Sequence, residues 1–239
     1  MAKKFVLLSE ARSGTSLITE TLRTHPRILV HGEIFHPRVE WHLRSEFLAC
    51  NDLEKRVSDP VGFTKDLLAQ NFDHDVVGFK MWRSQSEPAC DYVLQDPSVV
   101  KIILERENKL AHFSSRILAK ETNVWNVNSS KPFNNASRTN QVAFNRGAFR
   151  NFVEYHNNLT NYYVSNAVGT VVRMNYRQAA RLELDEVFAA LDLEKLPLQP
   201  QTRKLYSDVI LDRFQPQYHE LIRQSLEEMN KTDWLLEPI

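Results

Sequence analysis

The stretch FVLLSEARSGTSLITETLRTHP, residues 5–26, decides how this chain is read. Its first four residues are continuously apolar and β-prone, the mark of a strand covered on both faces. Ser9 ends that run, and a short charged turn follows: Arg12, Ser13, Gly14, Thr15, Ser16. Leu17, Ile18 and Leu22 then recur at helical spacing until His25 and Pro26 stop the helix. A strand, a tight turn with glycine and a helix N-terminus make an anion site, because the free N–H groups of the first helical turn point outward and the helix dipole favours negative charge there. Ser13, Thr15 and Ser16 add hydroxyl donors, and Arg12 adds a fixed positive charge. The plain alternative is a strand followed by a helix that a Ser or Thr side chain caps.

The turn fails the nucleoside-triphosphatase pattern G-x-x-x-x-G-K-[ST]. Thr15 follows Gly14 where a lysine is required, and Ser9 stands where the first glycine belongs. The strand at 99–104 runs into Glu105 and Arg106, and no evident magnesium carboxylate follows it. The turn therefore reads as built for a phosphate-like group without the metal apparatus of a triphosphatase.

Working outward, further strands are expected at 28–30, 76–79, 99–104 and 170–174, and helices at 40–58, 61–71, 107–122, 147–166, 178–191 and 216–229. Strands that alternate with helices predict an α/β protein with a P-loop-like parallel sheet of about five strands flanked by helices. A length of 239 residues suits a single domain, 1–239. The Asn- and Ser-rich segment 126–141 reads as a functional or disordered loop and not as a linker.

Lys+Arg and Asp+Glu both number 30, so the balance gives no support to a general affinity for nucleic acid or an anionic membrane. No apolar run approaches the roughly 20 residues of a membrane span. Residues 5–8 are far short of a signal-peptide core of roughly 7–15 residues, and a cytoplasmic protein is expected. Cys50 and Cys90 are expected to be reduced and packed. The four N-x-[ST] sequons, at Asn128, Asn135, Asn158 and Asn230, read as chance in an Asn-rich chain.

A second candidate site lies at 99–125. Arg106 ends the clearest β-branched strand, and Leu110, Ile117 and Leu118 form an apolar stripe on the helix that follows, with Ser114 on it. A hydroxyl facing the sheet needs a partner. Either Ser114 bonds back to its own helix, or a second phosphate bridges Arg106 and Ser114.

Together these features resemble the sulfotransferases that use 3′-phosphoadenosine 5′-phosphosulfate, in particular the bacterial branch that contains the nodulation-factor and trehalose sulfotransferases. The resemblance rests on the Arg12–Ser16 turn, on Arg106 and Ser114 eight residues apart, on the Gly32-Glu33 pair, and on R-E-N-K-L-A at 106–111 followed by T-N-V-W at 122–125. It covers about the first 125 residues and implies a sulfotransferase fold. It also implies that Arg12, Ser13, Gly14, Thr15 and Ser16 cradle the 5′-phosphosulfate, that Arg106 and Ser114 hold the 3′-phosphate, and that Glu33 is the base. The product would be 3′-phosphoadenosine 5′-phosphate. The acceptor would be a hydroxyl of a carbohydrate, lipid or small metabolite, and a homo-oligomer is left open.

Sulfuryl transfer is a loose in-line displacement, governed by positioning and electrostatics. Arg12 and the helix N–H groups are placed to stabilise the leaving bisphosphate. The sulfuryl group carries less charge than a phosphoryl group, so no metal is demanded. His36 and His31 are the alternative bases, and a metal site at His31, Glu33 and His36 is a further, weaker reading. Lys80 points toward the same sheet edge as a phosphosulfate or acceptor contact, or else is a surface lysine whose charge reaches water. Trp82 and Trp125 are stacking or core residues; Arg146 and Arg150 reach the 3′-phosphate, line the acceptor pocket or form a solvated face. Two other classes stay open: a small-molecule kinase with a diverged P-loop, and a non-catalytic nucleotide-binding module.

Overall fold

In the computed structural model, which describes residues 2–48, 53–125, 141–197 and 207–238, five strands form one parallel sheet in the order β2-β3-β1-β4-β5. They are β1 (Lys3–Leu8), β2 (Ile28–Glu33), β3 (Val76–Met81), β4 (Val99–Glu105) and β5 (Val171–Asn175). Every strand read from the sequence is present; the first four are longer by one to three residues, and β5 is shifted by one residue from the expected 170–174. β1, β3 and β4 are apolar without alternation because helices cover both faces. β5 lies at an edge and buries only alternate residues.

The contacts group the chain into two compact units: Met1–Glu105 with Thr160–Pro200, and Arg106–Leu159 with Gln201–Ile239. The first holds the sheet with α1 (Thr15–Leu22), α2 (Ser45–Leu48), α3 (Lys55–Ser58), α4 (Pro60–Ala69), α5 (Glu87–Gln95), α8 (Tyr176–Ala180) and α9 (Asp185–Ala190). On one face, Phe5, Leu7, Ile102 and Leu104 pack with Ile18 and Leu22 of α1 and Phe188 of α9. The second unit holds α6 (Lys109–Thr122) and α10 (His219–Glu228) around a core that includes Leu110, Phe113, Phe149, Phe214 and Trp234. Between them in sequence, α7 (Arg146–Asn166) belongs to both units by its residues.

Three helical expectations need correction. The helix expected at 40–58 is replaced by a 3-10 turn at Val39–Trp41 and the short α2 and α3. The carbonyl of His42 accepts a hydrogen bond from Gly32 N–H at 2.6 Å, which takes this segment out of a helical ladder. The helix expected at 178–191 is broken into α8 and α9 by Leu182, whose φ of 56° is left-handed. α5 was not anticipated, although Ser86 caps it by accepting from Ala89 N–H and Pro88 stands in its first turn. α6 starts at Lys109 and not at 107 because Asn108 caps it, accepting from Ala111 N–H at 2.9 Å. Most of the 126–141 loop, with Cys50 and two of the sequons, lies outside the described residues. Cys90 is buried, and burial pushes its thiol up to about 12.

Gly32 makes the fold-back of His42 possible. A Cβ there would lie 2.7 Å from His42 Nδ1 and 3.0 Å from its Cβ. Gly32→Ala is therefore expected to cost about 1–3 kcal/mol, as overpacked sites do, in urea unfolding. A variant as stable as the parent would show that the segment gives way freely.

Two histidines are buried as neutral rings. His31 is wholly buried, edge-on to Phe47, with Nδ1 accepting from Arg44 N–H at 3.2 Å. Burial, helped by Arg23 and Arg44 and opposed by Glu46, holds it down at about 3. His156 of α7, beside Phe152, is pushed to about 3 by burial and by Lys109 and Arg116. Folded-state values below the unfolded value of about 6.5 mean that this stability is complete above pH 6.5. It is lost as pH falls toward 3, at about 1.4 kcal/mol per pH unit for each ring. In urea titrations between pH 6 and 4.5, His156→Phe should reduce the slope of stability against pH by that amount. An unchanged slope would contradict the assignment.

Candidate functional site

The connections leaving β1 and β3 run in opposite directions along the sheet: β1 leads past β3 to β2, and β3 leads past β1 to β4. Open α/β sheets bind ligands at such a point, at the carboxyl ends of the strands. The β1–α1 turn lies there. Ser9 Oγ donates to the Leu104 carbonyl at 2.6 Å and ties the turn to β4. Arg12 (φ 70°) and Gly14 (φ 96°) both take left-handed conformations, so the chain reverses within a few residues. Gly14 is also held close to Tyr176, whose ring a Cβ would meet at 3.0 Å.

Gly14 is the residue that caps α1, and no side-chain hydrogen bond caps that helix. The capped-helix alternative therefore does not describe this turn. The structure brings Arg12, Ser13, Gly14, Thr15 and Ser16 together on it, with Ser13 and Thr15 buried and Arg12 and Ser16 half-buried.

Ser16 leads to the next two candidates. Lys80 Nζ donates to Ser16 Oγ at 3.1 Å and lies 3.4 Å from Glu33 Oε1. A register shift between Val30 and Glu33 sets Glu33 opposite Lys80 across β2 and β3. Lys80 is not the surface lysine of the alternative reading: it is buried, with the Trp82 ring 5.6 Å from its Nζ. Burial pushes its ammonium below the usual lysine range, and the Glu33 carboxylate pulls the other way.

Glu33 is held on its other oxygen too, since Gln85 Nε2 donates to Oε2 at 3.0 Å. Gln85 is itself fixed, its Oε1 accepting from Trp82 N–H at 3.2 Å. The Glu33 N–H donates to His42 Nδ1 at 3.3 Å, and the His42 ring lies 4.5 Å from that of His36. Burial holds His42 at about 4, against the pull of Glu33. His36 Nδ1 accepts from Arg38 N–H at 3.1 Å. His31 is not part of this cluster's surface; it is packed under Phe47. Among the described residues, no group of three or more His, Cys, Asp or Glu is arranged to hold a metal ion.

The second unit carries Arg106 and Ser114. Arg106 forms a buried fork with Glu237: Nε donates to Oε1 at 2.8 Å, and Nη2 pairs with Oε2. Ser114 Oγ donates to the Ala111 carbonyl of its own helix at 3.0 Å and accepts from Arg213 Nη1 at 3.3 Å. The back-bonding alternative is thus present, together with a cation that the sequence did not suggest. Arg146 and Arg150 pair with Glu228 of α10.

Gln85, His42, Arg213 and Glu237 were not singled out from the sequence. Gln85, Arg213 and Glu237 reach partners distant in the chain, and His42 reaches back nine residues to Glu33; none stands in a pattern that spacing reveals.

No protein-family model matches the chain, and no curated protein matches it in sequence. Among solved structures, the chain is similar to a sulfotransferase from Alicyclobacillus acidocaldarius, with 12% identity and a TM-score of 0.52, over 98% of this chain and 95% of that one. The likeness is one of fold: a five-stranded parallel sheet flanked by helices, as in that sulfotransferase.

Proposed function

We propose that this chain is a sulfotransferase that moves a sulfuryl group from 3′-phosphoadenosine 5′-phosphosulfate to a hydroxyl of a carbohydrate, lipid or small metabolite. The observation that carries the reading is the buried Lys80 ammonium, shared between Ser16 of the anion-type turn and the Glu33 carboxylate. It joins a phosphate-type site to a base at one sheet edge. The fold likeness to a sulfotransferase supports it.

In this reading the N–H groups at the start of α1, the hydroxyls of Ser13, Thr15 and Ser16, and Arg12 hold the phosphosulfate. Glu33 removes the acceptor proton as the acceptor oxygen bonds to sulfur and the bond from sulfur to the 5′-phosphate oxygen breaks. Negative charge then grows on that leaving oxygen, where Arg12 and the N–H groups at the start of α1 oppose it. Gln85 and Lys80 grip the two oxygens of Glu33 and fix its direction. His36 and Lys80 contribute on the acceptor side. Arg106 and Ser114 take the 3′-phosphate; that Arg106 already grips a carboxylate in fork geometry fits an oxyanion ligand. The sulfuryl group needs no metal for charge neutralisation, and the reaction is proposed to be metal-independent. No helix among the described residues is long and apolar enough to cross a membrane, and a cytoplasmic location is part of the proposal.

The test of the donor is calorimetry. 3′,5′-Bisphosphoadenosine should bind about 10- to 100-fold more tightly than 5′-AMP, the scale of one charge-assisted fork. Equal affinities would remove Arg106 and Ser114 from the donor site.

The test of the base is Glu33→Gln. Once an acceptor is found by screening with labelled phosphosulfate, kcat should fall by about 10²–10⁴, the contribution of general base catalysis. Donor Kd should hardly change. A collapse of donor binding alongside kcat would instead assign Glu33 to holding Lys80 in place.

A further inference from the structure

Arg106 and Arg213 of the second unit gather around one carboxylate, that of Glu237, and Arg213 links it to Ser114. Arg106 grips it through two parallel contacts, and Arg213 Nη2 lies 3.9 Å from Oε2 while its Nη1 donates to Ser114 Oγ. A guanidinium fork takes a carboxylate and a phosphate with the same geometry. Among the described residues of this unit, Arg106, Lys109 and Arg213 are buried cations, whereas Glu237 is the buried carboxylate. A monoanion set between two guanidinium groups occupies a place that a dianion would fill with more charge.

The segment that carries Glu237 is lightly held. Trp234 is its last buried anchor, and Leu236 is 57% exposed. Leu235 still packs half-buried against the core, but from Leu236 onward the segment is held by its backbone: Leu236 bridges Val209, Asn108 Nδ2 donates to the Leu236 carbonyl at 3.0 Å, and Glu237 N–H donates to the Asp208 carbonyl at 2.9 Å. Lifting Glu237 out of the fork uncovers little apolar surface, so the cost is mainly polar, and the ion pairs it gives up with Arg106 and Arg213 are ones an incoming phosphate would replace.

We infer that Glu237 sets the affinity and selectivity of the donor site by occupying the phosphate position itself, and that it yields to a phosphate monoester dianion. The inference rests on the assignment of Arg106 and Ser114 to the donor's 3′-phosphate. A nucleotide without that second phosphate has nothing with which to displace the carboxylate. A site that is open only about 1–10% of the time loses about 10- to 100-fold in apparent affinity, which is the range Glu237 controls.

The experiment is calorimetry on the full chain and on Glu237→Gln, with 3′,5′-bisphosphoadenosine, 5′-AMP and inorganic phosphate as probes. Glu237→Gln should bind the bisphosphate about 10- to 100-fold more tightly than the parent, with 5′-AMP affinity unchanged. A folded variant with equal or weaker bisphosphate affinity overturns the inference. If neither protein binds the bisphosphate, a gain in inorganic phosphate affinity in Glu237→Gln upholds the competing carboxylate and sinks the sulfotransferase reading; no gain sinks both. Should Glu237→Gln not fold, hydrogen exchange on the parent decides. Saturation with the bisphosphate should strip protection from the Glu237 amide, and retained protection overturns the inference.

Discussion

One buried ammonium organises the candidate site. Lys80 is out of water at the end of a central strand, and burial works against its charge. What keeps a cation tolerable there is the Glu33 carboxylate at 3.4 Å and the Ser16 hydroxyl at 3.1 Å. Removing one member of such a pair leaves the other as an uncompensated charge, which costs about 3–5 kcal/mol in buried settings. Much of the local architecture can be derived from that constraint. The register shift in β2 brings Glu33 level with Lys80. Gly32 lets His42 close over the strand end and accept the Glu33 N–H, and Gln85 takes the remaining carboxylate oxygen.

The parts of this molecule legible in the sequence are those that depend on short-range pattern. The strands could be read because their apolar runs are uninterrupted, and the β1–α1 turn because the order of apolar run, glycine and helical spacing is local. The Gly32-Glu33 pair was legible through its resemblance to a sulfotransferase motif. The long-range partners were not. Gln85 sits on a 3-10 turn after β3, 52 residues from Glu33, and Glu237 is 131 residues from Arg106. The helix expected at 40–58 failed for a related reason. Val39, Leu43 and Phe47 are buried at helical spacing, yet a backbone bond from Gly32 to His42, set by tertiary packing, overrode the periodicity. Leu182 shows the reverse: one residue at positive φ splits a stretch whose apolar positions are continuous.

The same electrostatic solution recurs in the two units. A chain with no net formal charge keeps buried cations at both candidate sites, and each unit supplies an internal carboxylate: Glu33 for Lys80 in the first, Glu237 for Arg106 in the second. Cations held against an internal carboxylate avoid the desolvation penalty of an unpaired buried charge. The cost appears later, as competition with whatever anion arrives.

The two carboxylates differ in how they are anchored, and under the proposed function that difference suits them to different duties. Glu33 ends a strand, its backbone N–H bonded to His42 and one oxygen to Gln85, so moving it would disturb the sheet edge. A group fixed in that way suits proton transfer, where a displacement of about 1 Å is costly. Glu237 lies past the last buried apolar side chain of its segment, next to an exposed leucine, its backbone held by exchangeable hydrogen bonds and its carboxylate by Arg106 and Arg213. Under the proposed function, one carboxylate stays where its charge is needed and the other leaves when a stronger anion comes.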